Sequence, residues 1–182
     1  IEASKTYPDV AKKLFAELGI DTGRHSEFYH EDLFASHGAG SANFFDEETF
    51  GVDHLATGRY GLSEDMPLPE SAKVELTRLF TDEEDYLAGM IPPVRLAILE
   101  SHSWRDYLKK FGGFGEEVLT FIQKRSHGIW AIGADALPAI VAWDTGYPGF
   151  AGMDLGLTEE SGDGGNASEE DSGDFYFPDG NA

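Results

Sequence analysis

The feature that most constrains this chain is an almost uncharged stretch at residues 126–153, SHGIWAIGADALPAIVAWDTGYPGFAGM. It carries two of the three tryptophans, and Asp135 and Asp144 are its only acidic residues. Five glycines interrupt its apolar residues, so its backbone can approach a neighbouring group closely. The stretch therefore predicts either a glycine-rich core loop or a surface packed against something flat or bulky.

A helix is predicted inside this stretch, over residues 136–143. Asp135 is placed to cap it, because a carboxylate can accept from the free amides of the first turn and suits the positive end of the helix dipole. Pro138 would fall within that first turn, where no amide donor is missed.

Composition limits the possible functions. A chain of 182 residues with 41% hydrophobic content fits one domain, or one lobe of a larger one, with a real core. Its 34 acidic and 13 basic residues give a net charge of −21, which repels nucleic acid and anionic lipid and attracts cationic substrates or partners.

Several kinds of site and segment are excluded by what the sequence lacks. Without cysteine the chain has no disulfide, thiolate metal site or cysteine nucleophile. No apolar run approaches the ~20 residues of a transmembrane helix, so no transmembrane segment is predicted. The chain starts at Ile1 without a signal-like segment, and we interpret it as part of something longer, periplasmic or cytoplasmic.

Periodicity and capping signals predict a mainly helical α+β fold with a few short strands. The strands form a hairpin, with residues 43–45 and 50–52 joined by an acidic turn at 46–49. The predicted helices cover residues 7–20, 71–86, a segment opening at Pro92 and Pro93, 103–112 and 116–125.

Three of these helices have predicted apolar faces. The faces consist of Val10, Leu14 and Leu18 in the first helix, Val74, Leu76, Leu79 and Phe80 in the second, and Val118, Phe121 and Ile122 in the last. Ser103, with Asp106 three residues later, is a predicted helix cap. Lys124 and Arg125 are favourably placed at the negative end of the last helix.

The end of the chain is predicted to be different. Residues 158–174 are acidic and poor in apolar residues, which predicts a mobile loop, and 175–182 predict a strand and a turn.

Histidines are the remaining candidate metal ligands. His25, His30 and His37 are spaced five and seven residues apart, which does not place three imidazoles on one helical face. Surface histidines are the simpler interpretation, and no metal site is predicted.

The order of several segments resembles one protein family. YPDVAKKLFAELGID, FFDEETFGVD, SHGIWAIGADALPAIVAW, GYPGFAGM and FYFPDGNA are similar to the middle of the spermidine dehydrogenase-like flavoproteins, relatives of the flavin amine oxidases. The resemblance spans nearly the whole chain. It implies that residues 1–157 form a substrate-side lobe over FAD, and that 175–182 lead back into an FAD-binding segment. Some members also carry haem b.

The resemblance also implies site residues. The glycine-rich FAD fingerprint is absent from this chain, so we expect most of the cofactor contacts to come from a remaining flavin-binding polypeptide. The implied cofactor contacts within the chain are Gly180, Asn181, Ser126, His127 and Gly128. The implied substrate contacts are Trp130, Asp135 and Trp143. His127 could equally be a substrate contact, an electron-path residue or a core imidazole, and no catalytic residue is identified.

The implied reaction is oxidation of an amine, a polyamine such as spermidine, by hydride transfer to flavin. Such chemistry needs little acid–base machinery from the protein, because the cofactor accepts the hydride. Tyr147 and Phe150 could add aromatic walls, and Asp144 or Asp154 could hold a distant ammonium. The alternative is a non-catalytic acidic interaction subunit or module whose partner holds the redox centre.

Overall fold

The computed structural model describes residues 8–21, 32–58, 62–81 and 84–156. The chain divides into two compact units, one of residues 1–39 with 167–182 and one of residues 40–166. The predictions for Gly180, Asn181, the acidic loop at 158–174 and the strand at 175–182 fall outside the described residues.

The first unit contains helix α1 (Asp9–Glu17) and the single turn α2 (Leu33–Ser36). The predicted helix is therefore confirmed, although it is shorter than 7–20. It ends where Gly19 adopts φ +71° and the amide of Ile20 donates to the carbonyl of Phe15 at 2.8 Å.

The predicted apolar stripe of α1 is not buried. Val10, Leu14 and Leu18 lie on one face at a spacing of four residues, and all three are exposed, by 76%, 52% and 64%. This stripe is available for contact with another surface.

The second unit contains the remaining helices and strands of the described residues. Its elements are β1 (Ala42–Phe45), α3 (Glu47–Phe50), β2 (His54–Thr57), α4 (Glu70–Thr81), α5 (Pro92–Ser101), α6 (Trp104–Lys110), α7 (Glu116–Ile122), α8 (His127–Trp130) and α9 (Ala139–Asp144). Helices with one two-stranded antiparallel sheet make this an α+β fold, as predicted. No helix in the described ranges is long and apolar enough to cross a bilayer.

The hairpin was predicted correctly in its first strand and wrongly in its second. β1 pairs with β2, with Phe45 opposite His54, and residues 46–49 begin helix α3 instead of a tight turn. Asp46 explains the difference, because its carboxylate accepts from the amide of Thr49 at 2.8 Å and so caps a helical turn. Gly51, at φ +79°, ends that turn and delays the second strand.

The core is built around α6, which contacts α5, α7 and α9. Trp104, Tyr107 and Leu108 of this helix are completely buried. The predicted cap at its start is confirmed, since the hydroxyl of Ser103 accepts from the amide of Asp106 at 3.1 Å. α6 is therefore the central element against which the neighbouring helices pack.

Helices α4 and α7 pack on each other, and sequence periodicity predicted most of their inner faces. On α4, Leu76 and Leu79 are buried as expected, but Val74 is 68% exposed because it lies two residues from Leu76, on the opposite side of the helix. On α7, Val118 and Ile122 are buried as predicted.

The helix predicted from residue 136 begins later, at Ala139. Pro138 is its N-cap with an extended backbone, and the carboxylate of Asp135 makes no cap. A proline disfavours helical geometry in the residue before it, so the helix cannot start ahead of Leu137. Residues 137–139 are held beside α6 instead, by hydrogen bonds from Trp104 N to Leu137 O at 2.8 Å and from Ala139 N to His102 O at 2.9 Å.

Candidate functional site

Ser126 anchors the segment that carries the most specific part of the resemblance. It is completely buried, and its hydroxyl donates to the carbonyl of Ile132 at 2.6 Å. The amide of Trp130 donates to the carbonyl of Ser126 at 2.9 Å, which closes the short helix α8. The side chain predicted as a cofactor contact is thus engaged in folding its own loop.

The residues after Ser126 form an open surface, which we call the α8 face: His127, Gly128, Ile129, Trp130 and Ile132. His127 and Gly128 are exposed, and Ile129, Trp130 and Ile132 are exposed by 66%, 42% and 39%. An uncovered apolar cluster of this kind is typical of a contact surface. His127, Gly128 and Trp130 therefore share one exposed helical turn.

Trp130 is tethered without being buried. Its indole Nε1 donates to Thr145 Oγ1 at 3.2 Å, and that hydroxyl in turn donates to the carbonyl of Val141 at 2.7 Å. Both partners belong to the end of α9, so the indole has a fixed anchor. Its ring can present an aromatic surface in a defined place.

The backbone of the α8 face is strained where the helix ends. Ala131 adopts φ +57°, and it is the only residue besides glycine with positive φ in the described ranges. A left-handed conformation costs an alanine about 1–2 kcal/mol. Such outliers persist where the surrounding structure demands them, and they cluster at binding sites.

The glycines of residues 126–153 separate into two kinds. A side chain at Gly128 would meet nothing within 4 Å. At Gly133 a Cβ would lie 2.6 Å from Asp135 Oδ1, and at Gly149 it would lie 2.5 Å from Leu108 Cδ2. Close packing within the chain therefore explains Gly133 and Gly149, whereas nothing in the described chain requires glycine at residue 128.

The contacts given for Asp135 and Trp143 are with parts of the chain other than the α8 face. Asp135 accepts from Gln123 Nε2 at 2.5 Å, which connects the turn before α9 to the end of α7. Trp143 is half-buried and packs against the core. The structure thus gives these two predicted substrate contacts clear structural partners within the chain.

The remaining aromatic side chains proposed as walls belong to the core layer of α6. Tyr147 stacks on Trp104 with ring centroids 4.8 Å apart, and Phe150 stacks on Tyr107 at 4.7 Å. The hydroxyl of Tyr107 donates to the carbonyl of Gly149 at 3.1 Å. Burial raises the pKa of Tyr107, so the phenol stays a neutral donor.

A second feature, which the sequence did not reveal, is a cavity of about 230 Å³ between the hairpin and α7. Its lining includes Phe44, Phe45, Asp46, Phe121, Lys124 and Arg125. The only signal in the sequence is the pair Lys124-Arg125, whose charge by itself indicates no more than a favourable interaction with the carbonyl end of a helix. These residues line a cavity because the fold places them beside a hairpin that is distant in sequence.

Groups of three or more histidine, aspartate or glutamate side chains that could hold a metal ion are absent from the described residues. His37 is exposed, whereas His25 and His30 fall outside those residues. No protein-family model matches the chain, and no curated protein matches it either. The function has to be argued from the residues themselves.

Proposed function

We propose that this chain is the substrate-side part of an FAD-dependent oxidoreductase that oxidises an amine, a polyamine such as spermidine. The resemblance supplies the cofactor, the substrate class and a remaining flavin-binding polypeptide as partner. The observation that carries the proposal is the α8 face, where the most specific motif of the resemblance is apolar, exposed and open at Gly128.

The α8 face suits a planar aromatic group. Ile129, Trp130 and Ile132 offer apolar surface, and Gly128 allows a ring to approach the backbone without meeting a side chain. FAD, when bound, supplies the hydride acceptor. The part of this chain is to cover the ring, exclude water from it and orient the amine against it.

Electrostatics favours a cationic substrate. The chain carries a net charge of −21, and a field of that sign raises the local concentration of a polycation. Trp130 offers a ring face for an ammonium group, a contact worth about 0.5–2 kcal/mol depending on how much water is excluded. The reacting nitrogen would have to be the unprotonated one, with a second, distant ammonium on the ring face. FAD, when bound, would accept the hydride from the carbon beside that nitrogen, the nitrogen lone pair would form the C=N bond of an iminium ion, and loss of its N–H proton to water would give the imine.

Haem b enters this proposal only through the resemblance, and we assign no axial ligand to it. The alternative function is a non-catalytic acidic interaction module whose partner holds the redox centre. One observation favours that alternative, namely the exposed stripe of Val10, Leu14 and Leu18 on α1, which suits contact with another protein.

Anaerobic flavin reduction separates the two functions. The chain is co-purified with its flavin-binding polypeptide, spermidine is added, and loss of the oxidised flavin absorbance is followed. We expect reduction by spermidine and none by a diol of the same length. A flavin that is bound but is not reduced by any amine would contradict the oxidoreductase and support the interaction module.

A further inference from the structure

Arg125 is an unusual cation in this acidic chain. The other arginines of the described residues each lie against a carboxylate: Arg78 with Glu84 at 3.8 Å, Arg95 with Asp85 at 2.8 Å and Arg105 with Glu116 at 2.5 Å. Arg125 has no carboxylate partner within the described ranges, although the chain has 34 acidic residues. Its guanidinium instead lies over the ring of Phe80, 4.8 Å from the centroid.

The surroundings of Arg125 are partly apolar. The residue as a whole is exposed, yet its guanidinium is withdrawn enough from water that burial lowers the pKa of Arg125, with Tyr147 partly offsetting the effect. The hydroxyl of Tyr147 is itself buried and has no hydrogen-bond partner in the described structure. Tyr147 does not line the cavity, whereas Arg125 does, so the cation without a carboxylate partner is the group available to a ligand there.

The cavity between the hairpin and α7 places Arg125 beside apolar walls. Phe45 packs against Phe121 with ring centroids 5.7 Å apart, and the exposed ring of Phe44 also lines the space. Asp46 lies 3.7 Å from Lys124, so that carboxylate already has a cation beside it. Two cations and one carboxylate leave the lining with a formal charge of +1, carried by Arg125.

We propose that this cavity binds a small organic acid, with its carboxylate on Arg125 and its apolar body against Phe44 and Phe121. A guanidinium holds a carboxylate through two parallel hydrogen bonds. The cavity of about 230 Å³ is smaller than the ~300–1,000 Å³ typical of drug-sized ligands, which limits the acid to a compact one. The site is separate from the amine-oxidising function and does not depend on it.

Two electrostatic effects oppose the binding of an anion at this position. The carbonyl end of α7 carries about half an elementary negative charge, which a full guanidinium charge outweighs at closer range. The net charge of −21 repels anions at long range, but salt screens that repulsion beyond ~8–10 Å. We therefore expect binding that strengthens as salt is added up to physiological ionic strength, the reverse of an ordinary surface ion pair.

Isothermal titration calorimetry on the full chain tests the site with benzoate, with the neutral isostere benzamide and with inorganic phosphate. We expect benzoate to bind and the other two to bind at least about tenfold more weakly. Arg125→Gln should weaken benzoate binding by about tenfold or more, and Arg125→Lys, which keeps the charge without the fork, should weaken it less.

Arg105→Gln is the matched control, because it changes the net charge by the same amount at a position away from the cavity. It should leave benzoate affinity within about twofold. Phe44→Ala removes an exposed ring from the cavity wall, so it should weaken the binding of benzoate but not that of acetate. Equal benzoate affinity in the native and Arg125→Gln chains, or an equal loss in Arg105→Gln, would overturn the proposal. So would tighter binding of phosphate than benzoate, or no benzoate binding at ~10 mM.

Discussion

Two short segments of residues 126–153, 127–132 and 147–150, both combine glycine with aromatic side chains and take opposite positions in the fold. In residues 147–150, Phe150 is buried, Tyr147 stacks on Trp104, and the backbone of Gly149 is held by the hydroxyl of Tyr107. In residues 127–132, Ile129 and Trp130 remain open to solvent. The segment 147–150 completes the core of its own unit, and the segment 127–132 leaves an apolar surface without a partner in the described chain.

This contrast shows that glycine and aromatic content alone does not identify a binding surface. Gly149 is required by packing within the chain, because it lies against the side chain of Leu108. Gly128 has no such contact. A glycine that no packing contact within the chain requires, and that lies in an exposed apolar segment, is the better indicator of an external partner.

The largest expected effect is in the core that residues 147–150 complete. Trp104→Ala removes a completely buried indole that stacks on Tyr147 and donates to the carbonyl of Pro148 at 3.2 Å. We expect a loss of about 3–5 kcal/mol in the free energy of unfolding, measured by urea denaturation. A loss below ~1 kcal/mol would mean that the α6 layer is not the core of the unit.

The next effect comes from Gly149→Ala. This residue adopts φ +102°, and a new methyl group would meet Leu108, which is completely buried and cannot move aside freely. Backbone strain and overpacking together should cost about 1–3 kcal/mol. Thermal unfolding measures the change. An unchanged midpoint would mean that packing against Leu108 does not explain this glycine.

Gly128→Ala should have the smallest effect on stability, with the opposite sign. Alanine is preferred in a helix by up to about 1 kcal/mol, and nothing in the described chain obstructs its methyl group. The isolated chain should therefore be as stable as the native chain or slightly more so. In the protein with its flavin-binding polypeptide, the same change should lower kcat/KM for spermidine, since the methyl group would occupy space that the proposal gives to the flavin ring.

Gly133→Ala is the control for this comparison. Its methyl group would collide with the hydrogen-bonded pair Gln123 and Asp135, so it should destabilise the chain by about 1–2 kcal/mol. Activity per folded molecule should be unchanged. If Gly128→Ala and Gly133→Ala behaved alike in both measurements, the distinction between the two kinds of glycine would fail.

Local signals predicted much of the fold. The proline-led start of α5 and the Ser103 cap of α6 depend on a few neighbouring residues, and both are confirmed. Asp46 and Asp135 show why other positions were wrong, since both are helix-capping residue types. Asp46 caps the turn that follows it through a local hydrogen bond from Thr49, whereas Asp135 accepts from Gln123, twelve residues away, and caps nothing.

The candidate site was predictable only in part. A motif can draw attention to Trp130 and Gly128, but exposure depends on which neighbours pack against the segment, and sequence spacing does not contain that information. The cavity at Arg125 was missed for the same reason, because its walls come from a hairpin and a helix far apart in the chain. The absence of a carboxylate beside Arg125 is likewise a fact of the fold.

The most direct test of the central claim is Trp130→Ala in the protein with its flavin-binding polypeptide, measured by thermal unfolding and by steady-state oxidation of spermidine. Trp130 is 42% exposed and tethered by one hydrogen bond, so the stability loss should fall well below the about 3–5 kcal/mol expected for the buried Trp104. We predict that kcat/KM falls by about tenfold or more, equivalent to ~1.4 kcal/mol. A large loss of stability with unchanged kcat/KM per folded molecule would contradict the account and return Trp130 to a purely structural role.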